Sequence, residues 1–432
     1  MRCHRFNRIK PPVDCWTVLP VVPVPPRHVD DFLEASGEEA VASLRDAAAA
    51  LSGARILHVN STAYVGGVAE LLFTQVALLN DLGIETEWQV IHGSEDFFTI
   101  TKFVHNALQG AEVPWTDHMV EIYEDCCARN AEELDQGYDF VIIHDPQPAG
   151  MFRVLEQEGK RGGTWVWRCH IDLSASFEPV WDYFAQHVTR YEGAIFTMED
   201  FIRPGLHGPH IETIAPSIDP ISLKNSWLSY ETEYEVLTRY GVDRARPIVT
   251  QVSRFDPWKD PVGVIEAYRL ARKEVPDLQL VMIGSMAHDD PEGWHYLEVT
   301  QAARQDDPNI FLLTNLQEVG HLEVNAFQRA FTVVVQKSLR EGFGLVVSEA
   351  MWKERPVIGG NVGGIRLQIE DGVSGFLVSS AEECAERIVQ LLDDHHLASQ
   401  MGKAGKEHVR RNFLTLRELE DYLRMLASLA KA

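Results

Sequence analysis

The sequence is short of basic residues: 39 lysines and arginines stand against 64 aspartates and glutamates, a formal charge of −25. A surface of that sign repels phosphate backbones and anionic lipid, so neither nucleic acid nor a membrane is an expected partner. Any site for a phosphorylated small molecule must then be locally basic against the field of the whole chain. Long apolar runs are missing too; the longest are of strand length, far below the ~20 residues that span a bilayer. The chain opens without a charged segment followed by an apolar one, so a secretory signal is not expected and the cytoplasm is the default compartment. Cysteine is sparse. Cys3, Cys15, Cys126, Cys127, Cys169 and Cys384 form no Cys-x-x-Cys pair, and reduced thiols are the expectation.

Motifs of several enzyme classes are also lacking. There is no Asp-x-Asp to hold a divalent ion on a diphosphate, and His207, His210, His395 and His396 have no partners at ligand spacing, so no metal is expected. A Gly-x-x-x-x-Gly-Lys-Ser/Thr loop and a Gly-x-Ser-x-Gly elbow are absent, which argues against an ATPase and a serine hydrolase. The spaced glycines of a dinucleotide fingerprint are missing, which argues against a dinucleotide-dependent oxidoreductase.

What is present is a regular alternation. The chain has 432 residues, 45% of them hydrophobic, enough for two cores. Residues 1–28 are proline-rich and aperiodic and read as an extended arm or poorly ordered leader. A helix is expected from about Asp30 to Leu51. Strand-length apolar runs then alternate with helical patterns: 55–60, 86–91, 140–144, 164–169, 194–197 and 211–216 in a first series. A second series runs through 248–253, 278–284, 310–314, 332–336 and 356–359. Continuous apolar strands alternating with helices predict parallel sheets covered on both faces. The fold class expected is therefore α/β, with two Rossmann-like doubly wound domains facing a cleft. The expected division is 29–216 plus 413–432 for the first and 217–412 for the second. The amphipathic stretch from Leu416 to the end is expected to cross back onto the first domain.

In such sheets ligands gather at the carboxyl ends of strands, where helix N-termini offer free N–H groups. Ser253 and Arg254 follow one strand, with Lys259 shortly after; an arginine fork and a lysine point charge together suit a diphosphate. Surface pairs with Asp256 and Asp260 are the competing reading. After another strand comes Glu341-Gly342-Phe343-Gly344-Leu345, then a helix carrying Glu349. The glycines permit close backbone approach, and the two carboxylates could each accept from a vicinal diol, on a sugar and on a ribose, or could simply be solvated. The turn 359–364 is rich in glycine and suits a phosphate. In the first series Gly66 and Gly67 join a strand to its helix, Asp145 and Gln147 end a second strand, and His170 and Asp172 a third. Together they look like one pocket.

These residues carry a resemblance. Glu341 and Glu349, with seven residues between them in EGFGLVVSE, resemble the Glu-x7-Glu signature of retaining glycosyltransferases of the GT-B fold. HVNSTAYVGGVAELL, HDPQP, RCHIDLS and SRFDPWKDP look like the trehalose-forming branch of glycosyltransferase family 4. The likeness runs from about Leu51 to the C-terminus. Val65 stands where a third glycine is expected, and SASFEP replaces the usual continuation after HIDL. The resemblance implies an ADP- or UDP-glucose donor, glucose as acceptor, and reversible formation of α,α-trehalose with no cofactor. It places Arg254 and Lys259 on the pyrophosphate, Glu341 on the donor glucose, Glu349 on the ribose and His170 near the glucose primary hydroxyl. Ser253 and residues 342–345 complete the donor side, and Gly66 and Gly67 shape the acceptor and phosphate side. A phosphorylase using glucose 1-phosphate, a transferase with another sugar acceptor and a non-catalytic sugar-binding module are the alternatives. A homodimer is the default assembly, by frequency alone.

Overall fold

The computed structural model describes residues 18–63, 66–286 and 291–431; residues 1–17, with Cys3 and Cys15, and Val65 lie outside them. Two six-stranded parallel sheets form the frame. The first contains β1 (Arg55–Asn60), β2 (Glu85–Val90), β3 (Phe140–His144), β4 (Thr164–Arg168), β5 (Gly193–Phe196) and β6 (His210–Thr213), in the order β2-β1-β3-β4-β5-β6. The second contains β7 (Ile248–Val252), β8 (Gln279–Gly284), β9 (Ile310–Thr314), β10 (Val333–Gln336), β11 (Val357–Gly360) and β12 (Phe376–Val378), in the order β12-β11-β10-β7-β8-β9. The central strands are buried along nearly their whole length because helices cover both faces, as the unbroken apolar runs require. Trp88, Trp165 and Trp167 fill the largest fully buried positions of the first sheet. Cys126, Cys127, Cys169 and Cys384 are free and buried.

In each sheet the strand order reverses beside the first strand, between β1 and β3 and between β7 and β10. Loops leaving those neighbours diverge to opposite faces and open a crevice at the strand ends. The loop after β7 holds residues 253–259 and the loop after β10 holds residues 337–344, so positions far apart in sequence meet.

The expected helix from Asp30 to Leu51 is broken. A 3-10 turn (Val29–Phe32) and a short helix (Leu33–Ser36) stop at Gly37, whose φ of 89° is open to glycine, before the helix Glu38–Ala49 begins. Strand β12 was not expected; three residues are too few to carry a period. Helices Glu95–Leu108, Asp117–Glu133 and His395–Asn412 are further elements that the apolar pattern did not single out. Residues 20–22 run antiparallel beside β2, where the Val22 amide donates to Trp88 O at 2.8 Å and the Val90 amide to Pro20 O at 3.1 Å.

The last helix, Thr415–Leu429, packs on the first sheet beside the helix Glu38–Ala49. Its apolar stripe, Leu416, Leu419, Leu423 and Leu426, is spaced at three and four residues and is buried with Ile56, Ile142, Val166 and Ile195. The chain thus enters the second sheet near Ile218 and returns beside it, where Ile218 and Leu414 form a parallel bridge. Among the described residues no helix is long and apolar enough to cross a membrane. Leu423→Ala should lower stability by about 2–5 kcal/mol in denaturant unfolding, since the residue is fully buried. Arg424→Ala, whose exposed side chain meets Glu420 at 2.8 Å, should change it by less than about 1 kcal/mol.

Candidate active site

The β7/β10 crevice is built by two caps. Asp256 is buried and its carboxylate accepts the amides of Trp258 and Lys259 at 3.0 and 3.2 Å, which winds the loop into a short 3-10 turn. Asp260 sits at a left-handed φ of 50°, caps the helix Pro261–Ala271 through Gly263 N at 3.1 Å, and is paired with Lys337. The Lys259 ammonium is thereby turned inward, 2.7 Å from each carboxylate oxygen of Glu341. Glu341 is buried and also accepts from Ser338 Oγ at 3.0 Å and Gln336 Nε2 at 3.3 Å. Of the two pairs weighed from sequence, Arg254 does meet Asp256, at 3.2 Å, whereas Lys259 meets Glu341. Arg254 keeps 40% of its side chain exposed, leaving most of its fork available. His105, from the helix Glu95–Leu108, lies close enough to these cations that burial and the charges of Arg254 and Lys102 push its pKa down to about 3.

Glycine sets how closely the parts approach. A Cβ on Gly342 would overlap the His170 carbonyl oxygen, and one on Gly363 would overlap the Glu341 carbonyl oxygen. Gly344, at φ 85°, starts the helix Leu345–Trp352. The ring of Phe343 does not face the crevice; it packs in the core against Phe413, with centroids 5.5 Å apart. The turn 359–364 lies beneath this loop, where the Gly364 amide donates to Glu341 O at 3.2 Å.

Glu349 is 1% exposed, on the face of its helix turned toward the first sheet's side of the gap. One oxygen accepts Lys224 Nζ at 2.8 Å and the other Gln328 Nε2 at 3.1 Å. Burial alone would raise this carboxyl, but Lys224 and Lys353 hold it below its usual value. Lys353 is buried with three acceptors, Asn225 Oδ1 at 2.7 Å, Gln328 Oε1 at 2.8 Å and Glu349 O at 3.0 Å. Lys224 also reaches Glu70 of the helix Gly67–Asp81 at 3.0 Å, so one ammonium ties the two halves together. Gly67 abuts Leu345: a Cβ there would stand 3.3 Å from Leu345 Cδ1. A cavity of about 270 Å³ opens at this junction, bordered by Gly66, Glu70, Leu345 and Glu349 and, at its far end, by Arg27 paired with Asp219.

On the first sheet, His170 follows β4 and its backbone amide donates to Asp145 Oδ1 at 2.8 Å. Asp145 adopts a left-handed φ of 62°, and burial pushes its pKa up to about 7. The Gln147 carbonyl accepts the Cys127 thiol at 3.7 Å, which ties that turn to the helix Asp117–Glu133. Asp172 is buried, accepts from the Ser174 amide at 3.0 Å, and lies 3.7 Å from Arg340 of the opposite loop. Trp258 also reaches across, its indole N–H 3.5 Å from Asn106 Oδ1.

The structure therefore brings Arg254, Lys259 and Glu341 to one crevice, with His170 and Asp172 across a narrow gap and Glu349 at the adjoining cavity. Ser253 lies at the end of β7, its amide donating to Ile283 O at 2.9 Å. Sequence reasoning missed Lys224, Gln328, Lys353, His105 and Arg340. Lys224 lies in an aperiodic segment, and the other four carry no spacing signal that separates them from solvated residues.

The residues match known families in both halves. A family model described as "Trehalose synthase, N-terminal domain" matches residues 58–203, and one described as "Glycosyl transferases group 1" matches residues 238–408. A trehalose synthase of Rubrobacter xylanophilus is 48% identical over 92% of this chain and 96% of its own length. One of Thermococcus litoralis is 45% identical over 93% of this chain and 97% of its own. A trehalose phosphorylase of Pleurotus pulmonarius is 26% identical over 81% of this chain but 54% of its own length. Among solved structures, an α,α-trehalose-phosphate synthase (UDP-forming) from Burkholderia xenovorans in complex with glucose-6-phosphate superposes with a TM-score of 0.71. It does so at 13% identity, over 87% of this chain and 100% of its own. A sucrose-phosphate synthase from Thermosynechococcus elongatus gives 0.67 at 18% identity, over 88% and 99%. The two facing parallel sheets are thus the GT-B fold, and the chain belongs to the trehalose synthase family of group 1 glycosyltransferases.

Proposed function

We propose that this glycosyltransferase moves glucose from a nucleoside diphosphate glucose, UDP- or ADP-glucose, onto the anomeric hydroxyl of a second glucose, forming α,α-trehalose reversibly and with retention. The observation that supports this most is the meeting of Arg254, Lys259 and Glu341 at the β7/β10 crevice, where a chain of charge −25 gathers two cations beside the glycines at 342 and 344. Arg254 and Lys259 would hold the diphosphate. Glu341, oriented by Lys259, Ser338 and Gln336, would accept from hydroxyls of the donor glucose. Glu349 would take the ribose diol, exchanging a contact with Lys224 for one with the ligand.

In the proposed step the bond from the anomeric carbon to the diphosphate oxygen breaks while the acceptor oxygen bonds to the same face. The departing oxygen takes the acceptor's proton, so no enzyme nucleophile is needed. Arg254 and Lys259 stabilise charge growing on that oxygen in a site largely closed to water. The contacts across the gap, Arg340 with Asp172 and Lys224 with Glu70 and Glu349, favour a closed arrangement that keeps water from competing with the acceptor. A cytoplasmic, metal-independent enzyme is part of the same reading, with the two cations in the place of a metal on the diphosphate.

Arg254→Ala and Lys259→Ala should each lower kcat on the order of 10²–10³-fold in a coupled assay of nucleoside diphosphate release. Unaltered turnover in either would remove that residue from the site. Glu349→Gln should raise KM for the nucleotide sugar on the order of 10-fold or more, a hydrogen bond to a charged group being worth ~1.5–3 kcal/mol. Excess EDTA should leave the rate unchanged. Product analysis by NMR with UDP-glucose, ADP-glucose or glucose 1-phosphate as donor separates this reading from a phosphorylase: trehalose formed from glucose 1-phosphate alone would overturn it.

A further inference from the structure

Three histidines form a continuous chain beneath the candidate site. His58 Nδ1 lies 3.0 Å from His144 Nε2, and His144 Nδ1 lies 3.1 Å from His170 Nε2. The rings lie edge to edge and close to coplanar, tilted by 28° and 14° with centroids 5.3 and 5.4 Å apart, and the ring of Tyr422 of the last helix lies 5.9 Å from that of His58. His58 and His144 are buried, and burial, with the Arg168 charge beside His144 and His170, holds all three rings neutral. A neutral imidazole has one N–H and one lone pair, so the middle ring must donate to one neighbour and accept from the other. Only two arrangements satisfy both contacts, and each fixes every tautomer in the chain.

In one arrangement His58 Nε2 carries a proton; that atom is buried and has no partner among the described residues. An orphaned buried N–H is rarer and costlier than an orphaned lone pair. The other arrangement runs His58 to His144 to His170 and leaves only a bare lone pair buried. His170 then accepts at Nε2 and carries its proton on Nδ1, the ring atom without a protein partner among the described residues.

We infer that His58 and His144 are positioning residues that fix His170 as its Nδ1–H tautomer, a hydrogen-bond donor for a sugar hydroxyl oxygen. The use of that donor rests on the sugar-contacting role proposed for His170; the tautomer does not. Free histidine favours the opposite tautomer, so the chain imposes a state the ring would not adopt alone.

The test is a two-bond proton–nitrogen correlation spectrum of the full chain labelled with ¹⁵N-histidine, with His170 assigned by its loss in His170→Asn. His170 protonated at Nδ1 is the expected result; protonation at Nε2 in the unaltered protein would overturn the inference. His144→Phe keeps an aromatic ring at that position and removes both nitrogens. It should shift His170 toward Nε2–H and lower kcat/KM on the order of 10–100-fold, as for other residues that orient a functional histidine. An unchanged His170 tautomer in that variant would also overturn it, and if the variant fails to fold the unaltered spectrum still decides. Full turnover in His170→Asn, with the expected tautomer in the parent, would refute the sugar contact while leaving the histidine chain standing.

Discussion

The pair between Lys259 and Glu341 is the constraint on which the rest of the site depends. Removing two charges from water costs several kcal/mol per ion, and the attraction between them offsets this only when the remaining lone pairs are satisfied. Here Ser338 and Gln336 both donate to Oε2, which fixes the carboxylate, while Oε1 meets only Lys259 among the described residues and keeps a lone pair for a ligand hydroxyl. The pair also joins two loops separated by β8, β9 and β10 in the chain. It exists because the strand order reverses between β7 and β10, which points both loops into one crevice. Topology brings the partners together; electrostatics then holds one geometry among those the loops could adopt.

Closure of the two halves follows the same logic at larger scale. Gly342 lets its backbone approach the His170 carbonyl across the gap within a distance that a side chain would forbid, and Gly67 sits close against the Leu345 side chain. Lys224 and Arg340 then bridge the halves with charge pairs. The last helix adds a covalent limit, since the chain crosses to the second sheet and back within a short span around Ile218 and Leu414. Two crossings side by side tether the halves at one place.

Much of this was legible in the sequence, because parallel strands buried on both faces write themselves as unbroken apolar runs. The runs at 140–144 and 310–314 coincide with β3 and β9 to the residue. The return of the final helix was readable from its apolar stripe, which had to be covered by something. Arg254, Lys259 and Glu341 were readable because they follow buried strands, where ligands gather. Lys224, Gln328 and Lys353 were not, since their roles come from tertiary neighbours and a buried lysine looks like a solvated one in sequence. The histidine chain escaped notice for a related reason. His58 and His144 lie within strands and read as core positions, and only the sheet's register sets β1, β3 and β4 side by side with their rings in line.

The pairing of residues 20–22 with strand β2 has a consequence for how the protein behaves in a crowded solution. An uncovered strand edge is a template onto which another chain can add, and β2 buries Thr86, Trp88 and Gln89 while Glu85 stays exposed. With that edge occupied from within, the first sheet presents β6 at its other side, a four-residue strand bearing half-exposed His210 and Glu212. A short charged edge is a poor seed, so loss of residues 18–28, which uncovers β2, should raise the tendency to aggregate through that strand.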